Sequence, residues 1–540
     1  MKTKFRPEAI TFVTAFYFVA VLNAPFWQLL YRFVDPNRAE DWLLLAVTAL
    51  ALVVLFNLAL MLIAVRPLFR LVLAVLLPVT AAASYFMQEY GIIIDHHMVR
   101  NVIETNSSEA GDLMTTTLLL YVVTLGVVPA IVLWNLRWVE RPLKNDTKLR
   151  VKIAAASMAM AAATVFPVWG DVISTFRAHR ELRMTLTPSN YIGSIAKYAR
   201  LRSPQVPADV AKVGGDAERH DEPQARPHLF VIVVGETARA DHFALNGYAR
   251  PTTPELAKVP GLINYAHATS CGTDTAHSVP CMFSDLKQSG FTNAKAAARE
   301  NLLDALKRAG VDVVWRENQS GCKGVCERFA TEILAKPESA AFYADTETHD
   351  EVLVDGLAER IATIRRDTVI VLHMMGSHGP SYWKRYPTAF EVFKPVCKES
   401  QFSRCTLPEI INAYDNTILY TDHVLGKLIS VLSAADASGI DAGMLYLSDH
   451  GESLGEHNLY LHGMPRSIAP KEQVHIPMVA WLSPGLLADN GMDTRCLLAT
   501  ASEPVSHDNM FHSVLGIMDI ATKSYDSKLD LFAQCTQHAF

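Results

Sequence analysis

The chain has 540 residues, of which 50% are hydrophobic and 19% charged, and its formal net charge is −6. A mean hydropathy of +0.15 is too high for an average soluble protein and too low for a pure membrane bundle. Bulk charge this small does not indicate nucleic acid as a partner, and we expect none. The length predicts roughly two to four domains, so a membrane part joined to a globular part is the first expectation.

Five uncharged stretches near the N-terminus are long enough, or nearly so, to cross a bilayer, which takes about 20 residues. They are Ala9–Tyr31, Trp42–Val65, Leu71–Met87, Leu113–Leu136 and Ile153–Gly170. Stretches of this length rarely recur in soluble cores, so we predict a five-span α-helical bundle over residues 1–170. The first stretch lacks a small-residue cleavage site, which argues against a signal peptide.

Lysine and arginine predict the orientation of the bundle, because the loops on the cytoplasmic side carry an excess of them. Basic residues precede the first span, lie between the second and third, and crowd the loop between the fourth and fifth. They are Lys2, Lys4, Arg6, Arg66, Arg70, Arg137, Arg141, Lys144, Lys148, Arg150 and Lys152. Five spans that start inside place everything after Gly170 outside the cytoplasm. In a Gram-negative cell this predicts an inner-membrane protein with a periplasmic domain.

All eight cysteines follow position 270. An even number in a non-cytoplasmic domain predicts disulfides, although sequence alone does not fix their connectivity. A zinc cluster is the alternative, but only one pair is closely spaced and no second pair of that kind accompanies it. Spacing pairs the cysteines naturally as Cys271/Cys281, Cys322/Cys326, Cys397/Cys405 and Cys496/Cys535.

Residues 88–112, between the third and fourth spans, form a polar segment on the outer face of the membrane. Asn101, Thr105 and Glu109 recur there at every fourth position, which on a helix places them on one face. Taken alone, this pattern is more typical of a solvated helix surface than of a binding site. Residues 171–227 follow the bundle as an amphipathic connector and a linker, as their composition indicates.

After His228, short β-branched runs alternate with helical stretches, which predicts an α/β sandwich with a mostly parallel sheet over residues 228–540. Polar motifs follow directly after several of the runs. Because ligands of such sheets bind beyond the carboxyl ends of the strands, we expect these motifs to converge on one edge. The predicted strands are Leu229–Val234, Val311–Trp315, Thr368–Leu372, Met444–Leu447 and Ile476–Trp481, with helices such as Asn301–Ala309 and Tyr414–Leu432 between them.

Three acidic or imidazole side chains at strand ends indicate a metal site. Asp449 and His450 follow one strand and Glu236 follows another, and together they offer the oxygen and nitrogen ligands that zinc takes. Thr275 lies in the loop between Cys271 and Cys281, where a threonine at a helix start could coordinate zinc, become an alkoxide and attack phosphorus. Helix capping by Ser and Thr is the simpler explanation of this loop and, taken alone, the favoured one.

Two histidines are further site candidates, because His378 and His462 lie in loops flanked by glycine and proline. His373 is inside a strand, where a core residue with satisfied hydrogen bonds is an equally good explanation. Three others are predicted to be surface residues. These are His242, His267 and His457.

Five motifs closely resemble the phosphoethanolamine–lipid A transferases, a family that includes the mobile colistin-resistance enzymes. They are VGETARAD at 234–241, NGY at 246–248, SCGTDTA at 270–276, SVPCMFS at 278–284 and SDHGESLGE at 448–456. The resemblance runs from the first span to the last cysteine. It implies that the globular domain has the alkaline phosphatase and sulfatase fold.

The resemblance implies that Glu236, Thr275, Asp449 and His450 hold zinc, the cofactor that we expect. It also implies that Thr275 takes the phosphoethanolamine group, whereas Thr273 matches the other threonine of the motif and has no assigned catalytic role.

The same resemblance extends to substrate-binding residues. His378 and His462 match histidines that touch the substrate phosphate or a second zinc ion, and Ser320 and Lys323 match headgroup-binding positions. The polar triad of the outer segment matches a substrate site, which replaces its interpretation as a solvated surface. That triad is Asn101, Thr105 and Glu109.

The implied reaction is a two-step transfer. Thr275 attacks phosphatidylethanolamine, diacylglycerol leaves, and the phospho-threonine passes its group to a phosphate of lipid A. His378 or His462 could protonate the leaving alkoxide. We expect a membrane-embedded monomer. Its reaction lowers the negative charge of lipid A and so weakens the binding of cationic peptides such as colistin. The rivals are a tethered phosphatase or phosphodiesterase, a transferase to a core sugar or glucan, and a lipid-binding protein without activity.

One departure from the family pattern concerns residues 341–349, which read AFYADTETH. Several relatives carry an extra cysteine pair at this position, and this chain does not. The resemblance therefore implies a looser loop here. The predicted zinc ligands and nucleophile are unaffected.

Overall fold

The computed structural model describes residues 4–35, 37–105, 107–139, 141–179, 181–202, 210–219, 226–334, 342–344 and 347–536. The chain divides into two compact units. By their predicted roles we call residues 1–99 and 114–198 the membrane unit, and residues 100–113 and 199–540 the catalytic unit. The segment 100–113 therefore belongs to the catalytic unit, although the chain on both sides of it belongs to the membrane unit. The predicted boundaries near residues 170 and 227 stay a prediction, and part of the predicted linker lies outside the described residues.

Helices account for most of residues 7–202. Two π-helical stretches, Phe18–Leu22 and Val123–Val127, interrupt or extend the α-helices. The α-helices are α1 (Pro7–Tyr17), α2 (Ala24–Tyr31), α3 (Ala39–Leu62), α4 (Arg66–Tyr90), α5 (His96–Glu104), α6 (Ser107–Leu113), α7 (Thr116–Val122), α8 (Val128–Asn135), α9 (Leu143–Val165), α10 (Trp169–Ala178), α11 (Glu181–Met184) and α12 (Ser189–Arg202).

Several of these helices are long and apolar enough to cross a membrane. Within the described residues they are α3, the run Pro67–Tyr90 and the run Thr116–Asn135, together with the pair Pro7–Leu22 and Ala24–Tyr31, which is bent by 55°. These helices match the first four predicted spans. The fifth predicted span starts inside α9, whose N-terminal half is strongly charged. Large apolar side chains on the surface of this unit, such as Leu62 and Phe166, are typical of a face turned to lipid.

The catalytic unit adds eight α-helices and sixteen strands within the described residues. The helices are α13 (Thr275–Met282), α14 (Asn293–Ala297), α15 (Leu302–Arg308), α16 (Leu357–Ile361), α17 (Leu407–Ala437), α18 (Pro484–Asp489), α19 (Thr494–Thr500) and α20 (Asp508–Ile517). The strands are β1 (Glu218–Arg219), β2 (His228–Gly235), β3 (Ile263–Asn264), β4 (Ala268–Thr269), β5 (Asp312–Glu317), β6 (Ala330–Ile333), β7 (Tyr343–Ala344), β8 (Glu347–Thr348), β9 (Thr368–His373), β10 (Asp441–Ser448), β11 (Ser453–Leu454), β12 (Tyr460–Leu461), β13 (His475–Ile476), β14 (Met478–Leu482), β15 (Val505–Ser506) and β16 (Ile520–Ala521).

A seven-stranded sheet organises this unit, in the order β3-β14-β10-β2-β9-β5-β6. Strands β10, β2, β9, β5 and β6 pair in parallel, and β14 pairs antiparallel with β10 and with β3. Strands β2, β9 and β10 are buried along their whole length. Runs of β-branched and other apolar residues form such strands because both faces of a parallel sheet are covered. This confirms the predicted α/β class with a mostly parallel sheet.

Helix α17 covers the sheet next to β10, and it is apolar enough that its composition alone would allow a membrane span. Its buried residues instead include polar ones, such as Asp415 and Asp422. Asp415 accepts a hydrogen bond from His242 Nδ1 at 2.6 Å. The prediction that His242 is a surface residue is therefore wrong, because a carboxylate from a helix far along the chain covers it.

Four disulfides hold loops of the catalytic unit. They join the pairs that spacing indicated, and the described residues contain no free cysteine. The bonds are Cys271–Cys281, Cys322–Cys326, Cys397–Cys405 and Cys496–Cys535.

Candidate metal centre and active site

The register of β2 and β10 brings three charged side chains together at the carboxyl edge of the sheet. Gly235 pairs with Ser448, so Glu236 and Asp449 emerge side by side, and the amide of Asp449 donates to the Gly235 carbonyl at 2.9 Å. Glu236, Asp449 and His450 are all 0% exposed. One ligand atom from each lies within 4.8 Å of the other two. The expected convergence of strand-end motifs is therefore observed for these residues.

The hydrogen bonds of His450 orient its ring toward the two carboxylates. Nδ1 lies 2.9 Å from the carbonyl of Gly451, which can only accept, so Nδ1 carries a proton and Nε2 is the nitrogen that can bind a metal ion. Nε2 lies 3.4 Å from Glu236 Oε1 and 3.3 Å from Asp449 Oδ2. A backbone carbonyl that fixes the second nitrogen is the usual support of a metal-binding histidine.

The carboxylate of Asp449 shows that the centre fits a cation. Its Oδ1 accepts from the amides of His450 at 2.7 Å and Thr237 at 3.1 Å. Its Oδ2 is buried and has no hydrogen-bond donor among the described residues. A buried carboxylate oxygen without a donor needs a compensating charge. Two carboxylates and one imidazole nitrogen are a donor set that suits zinc.

The electrostatics of the centre also favour a cation. Burial, together with the charge of Glu236, raises the pKa of Asp449 to about 7. Burial by itself would lower the pKa of His450, but the two carboxylates raise it to about 10. Burial would raise the pKa of Glu236, and the hydrogen bond and charge of His450 hold it well below its ordinary value. Two acids thus retain one proton on the imidazole between them, and a metal ion would displace that proton.

Thr275 is the first residue of α13 and meets this centre. Its hydroxyl lies 3.2 and 3.1 Å from the two oxygens of Glu236 and 3.5 Å from His450 Nε2. The preceding residue, Asp274, caps the helix by accepting from the amide of His277 at 3.0 Å. The alternative of a purely capping threonine therefore does not describe Thr275, since Asp274 is the cap. The N-terminus of a helix also binds phosphate groups favourably, because its free backbone N–H groups point at the anion.

The loop that carries His378 passes directly against Glu236. Gly376 has a φ of +53°, and a Cβ there would lie 2.6 Å from the Glu236 carbonyl oxygen. The amide of Ser377 donates to that oxygen at 3.0 Å. Only glycine allows so close an approach, so this position sets the distance of His378 from the centre.

His462 is a second imidazole beside the centre, with its ring 4.3 Å from that of His450 and 5.5 Å from that of His378. Its Nδ1 lies 2.9 Å from Glu452 Oε2, and Tyr382 donates to Glu452 Oε1 at 2.9 Å. Burial and the charge of His450 lower the pKa of His462 to about 3, so this imidazole is neutral near pH 7. Sequence reasoning assigned no role to Glu452, although it stands inside the quoted motif at 448–456.

Gln319 is another contact of the centre that sequence reasoning missed. It follows β5, and its amide nitrogen donates to Glu236 Oε2 at 2.7 Å. Ser320 and Lys323 lie on the same loop, and Lys323 Nζ donates to Ser320 Oγ at 2.9 Å. A polar residue directly after a strand was the signal that could have identified Gln319. His373, by contrast, is buried against Glu317 at 3.0 Å, as a core histidine with a partner would be.

The polar triad of the outer segment lies within residues 100–113, which belong to the catalytic unit. Asn101 is on α5 and Thr105 follows it, and Thr105 Oγ1 donates to the Asn101 carbonyl at 2.6 Å. The side chain of Glu109 lies outside the described residues. Residues 341, 345 and 346 of the loop that departs from the family pattern are likewise outside them.

Comparisons with known proteins agree with this architecture. A sequence profile described as sulfatase matches residues 228–520, and one described as phosphoethanolamine transferase EptA/EptB matches residues 52–202. The phosphoethanolamine transferase EptA of Salmonella typhimurium is 37% identical over 529 residues, which are 96% of this chain and 95% of that protein. The phosphatidylethanolamine transferase Mcr-1 of Escherichia coli is 39% identical over 421 residues, which are 76% and 77% of the two chains.

A solved structure extends the likeness to the membrane part. The integral membrane lipooligosaccharide phosphoethanolamine transferase A, EptA, of Neisseria meningitidis matches with a TM-score of 0.94 at 34% identity, over 99% of this chain and 100% of that one. The apolar N-terminal helices and the sulfatase-type domain occur in one chain in both proteins. This chain is thus an inner-membrane protein with its catalytic domain in the periplasm. It belongs to the phosphoethanolamine transferase family, a membrane branch of the alkaline phosphatase and sulfatase superfamily.

Proposed function

We propose that this chain transfers phosphoethanolamine from phosphatidylethanolamine to a phosphate of lipid A through a phospho-threonine intermediate on Thr275. One observation carries the proposal. The Thr275 hydroxyl reaches Glu236 and His450 in a fully buried cluster, where one oxygen of Asp449 has no donor among the described residues. Glu236, Asp449 and His450, together with the Thr275 oxygen, would hold zinc.

Bound zinc would lower the pKa of the coordinated hydroxyl and neutralise charge on the phosphoryl oxygens. In the first step, Thr275 Oγ1 bonds to phosphorus and the bond to the diacylglycerol oxygen breaks. That oxygen takes a proton, which His378 or His462 could donate. In the second step, a phosphate oxygen of lipid A bonds to phosphorus, the bond to Thr275 breaks, and the threonine oxygen is free again. Splitting the transfer in two makes each step easier.

The remaining residues have binding roles in this proposal. Lys323, held by Ser320, is a cation for the phosphate of the donor. His462 contacts the phosphate or a second zinc ion through the nitrogen that Glu452 does not use. Three outer-segment residues bind lipid substrate, and a carboxylate among them can pair with the ethanolamine ammonium. These are Asn101, Thr105 and Glu109.

The reaction has a consequence for the cell envelope. Adding phosphoethanolamine to a phosphate of lipid A places an ammonium group there and reduces the net negative charge, so cationic peptides such as polymyxin and colistin bind lipid A less well. We propose that a monomer carries out the transfer. Its parts are the bundle 1–170 with the outer segment 88–112, the connector and linker 171–227, and the catalytic domain 228–540.

The direct test is Thr275→Ala, with Thr273→Ala as its matched control, in a polymyxin-sensitive Gram-negative host. Thr273 is also buried in this loop, and its hydroxyl donates to the Met464 carbonyl at 2.6 Å. We expect mass spectra of lipid A to lose the phosphoethanolamine adduct with Thr275→Ala and to keep it with Thr273→Ala. Modified lipid A from the Thr275→Ala strain would refute the nucleophile. If the wild type released free phosphoethanolamine without modifying lipid A, the protein would be a hydrolase. A phosphoethanolamine adduct on a core sugar would indicate a different acceptor.

A further inference from the structure

The segment 100–113 belongs to the catalytic unit, but both of its ends continue into the membrane unit, at Val99 and at Met114. The chain therefore continues from both ends of this segment into residues of the membrane unit. Among the described residues, three side chains join the segment to the rest of the catalytic unit by ion pairs. They are Asp112, Lys384 and Arg385.

Asp112 uses both of its carboxylate oxygens in this contact. Lys384 Nζ lies 2.6 Å from Oδ1, and Arg385 Nη2 lies 3.6 Å from Oδ2. The side chains of Asp112 and Arg385 are only 8% and 1% exposed. Ion pairs on an open surface contribute little, but a buried pair is costly to break because one charge is left without its partner. The contact is therefore a buried ion pair that fixes the position of the segment, and not an exposed surface pair.

Arg385 connects this attachment to the active site. Its Nε donates to the carbonyl of His378 at 2.7 Å, and its Nη1 lies 3.0 Å from Glu347 Oε2. The guanidinium therefore spans from the outer segment to the loop of an active-site histidine, and its rigid fork suits this task better than an ammonium would.

The same short helical turn reaches the second histidine. Tyr382, three residues before Arg385, donates to Glu452, which in turn contacts His462. Residues Tyr382–Arg385 are thus in contact, directly or through one side chain, with both active-site histidines and with the outer segment. A shift of the segment would be transmitted to the centre through this turn.

We propose that Asp112, Lys384 and Arg385 form an ionic clasp that positions the segment 100–113 against the active site, and that this clasp is required for membrane-embedded donors but not for water-soluble ones. The three are positioning residues, since none of them has to touch the reacting atoms. The inference rests on the proposed function for its lipid donor. A lipid must reach Thr275 from the bilayer with the segment in place, whereas a soluble phosphodiester reaches the zinc centre from water.

The test uses the full-length zinc-loaded protein in nanodiscs that contain acyl-labelled phosphatidylethanolamine. The variants are Asp112→Asn, Lys384→Met and the double variant, with Lys398→Met as the matched control, because Lys398 pairs with Glu391 at 3.1 Å and is 62% exposed. Each is assayed for release of labelled diacylglycerol and for hydrolysis of nitrophenyl phosphoethanolamine. Zinc content and amide hydrogen exchange of residues 100–113 are measured on the same samples.

We expect each single variant to lose about tenfold in kcat/KM for the lipid donor and to stay within about twofold for the soluble ester, because misplacement affects only the donor that needs the segment. The double variant should be no worse than either single one, as for two residues of one interaction. Exchange in 100–113 should accelerate with zinc content unchanged, and Lys398→Met should match the wild type in every assay.

Equal losses on both donors, or a fall in zinc content, would show a general structural role and overturn the proposal. So would unaltered lipid turnover, or losses in the single variants that multiply in the double one. Hydrogen exchange and the double-variant comparison decide the matter even if the soluble ester is a poor substrate. If Thr275→Ala retained lipid turnover in the same nanodiscs, the proposed function would be wrong. The faster hydrogen exchange expected in residues 100–113 of the clasp variants does not depend on that result and would still test the clasp.

Discussion

Strands β2 and β10 run side by side, and a cluster of histidine and acidic side chains lies at each end of the pair. At the carboxyl edge stand Glu236, Asp449 and His450. At the amino edge, His228 pairs in register with Asp441, and Asp489 lies 2.7 Å from His228 Nε2. Both groups bring three possible ligands within reach of one another.

The surroundings of the two clusters differ. At the amino edge, Arg226 Nη1 lies 3.1 Å from Asp441, and the side chain of Asp489 is 38% exposed. Oδ1 of Asp441, like Oδ2 of Asp449, has no hydrogen-bond donor among the described residues, but the Arg226 guanidinium balances its charge and water solvates Asp489. At the carboxyl edge all three residues are fully buried, and the described residues provide no donor to Asp449 Oδ2. Residue type alone thus does not identify a metal site, whereas two fully buried carboxylates that share a single imidazole indicate one.

We expect the largest difference between the two clusters when one aspartate in each is changed. We expect Asp449→Asn to lose zinc and to reduce lipid transfer on the order of 10³-fold, since the amide keeps the shape but removes the charge that holds the ion. Asp441→Asn should keep both. Zinc content by elemental analysis and transfer by lipid mass spectrometry measure the outcome. Equal zinc loss in the two variants would mean that the edges are not distinguished by charge compensation.

A smaller effect is expected at Gln319, which holds Glu236 without contacting the metal. Gln319→Leu removes the donor to Glu236 Oε2 and should weaken zinc binding by about 10- to 100-fold, as loss of a residue that orients a metal ligand commonly does. Competition with a chromogenic chelator measures the affinity. Gln401→Leu is the control, because Gln401 is also buried but donates to Ser403. Identical zinc affinities in the two variants would show that Gln319 does not support the metal ligand Glu236.

The smallest effect is expected at Arg226. Its side chain is 41% exposed, and pairs of this kind contribute about 0–1 kcal/mol. Arg226→Gln should therefore leave transfer and zinc content unchanged and shift the thermal midpoint by no more than a few degrees. Differential scanning fluorimetry with and without zinc measures this shift. A loss of zinc or activity would show that the amino edge contributes to function.

Local pattern was enough to predict the sheet and the convergence of its motifs. Alternating apolar runs followed by polar residues identified strands β2 and β10, and the parallel pairing then placed Glu236 beside Asp449 and His450. Their assignment as zinc ligands, and that of Thr275 as nucleophile, stay predictions that the geometry supports. Three of the four cysteine pairs followed from short spacings of 10, 4 and 8 residues, and the fourth joins the two cysteines that remain, which are 39 residues apart.

Contacts between distant parts of the chain were beyond prediction. Lys384 and Asp112 are 272 residues apart, and neither carries a local signal of the other. His242 looked like a surface residue because nothing near it in sequence shows that Asp415 of α17 covers it. Gln319 meets Glu236 only once β5 and β2 are in the same sheet, with β9 between them. In each case the deciding partner comes from tertiary packing rather than from the local pattern.

A phospho-threonine intermediate on Thr275 would be detected directly in the mass of the zinc-loaded protein after incubation with phosphatidylethanolamine in the absence of lipid A. We expect an added mass equal to one phosphoethanolamine group, located on Thr275 by peptide fragmentation, and lost when zinc is removed by a chelator. An adduct on another residue, an adduct that persists in Thr275→Ala, or unmodified protein despite diacylglycerol release would contradict it.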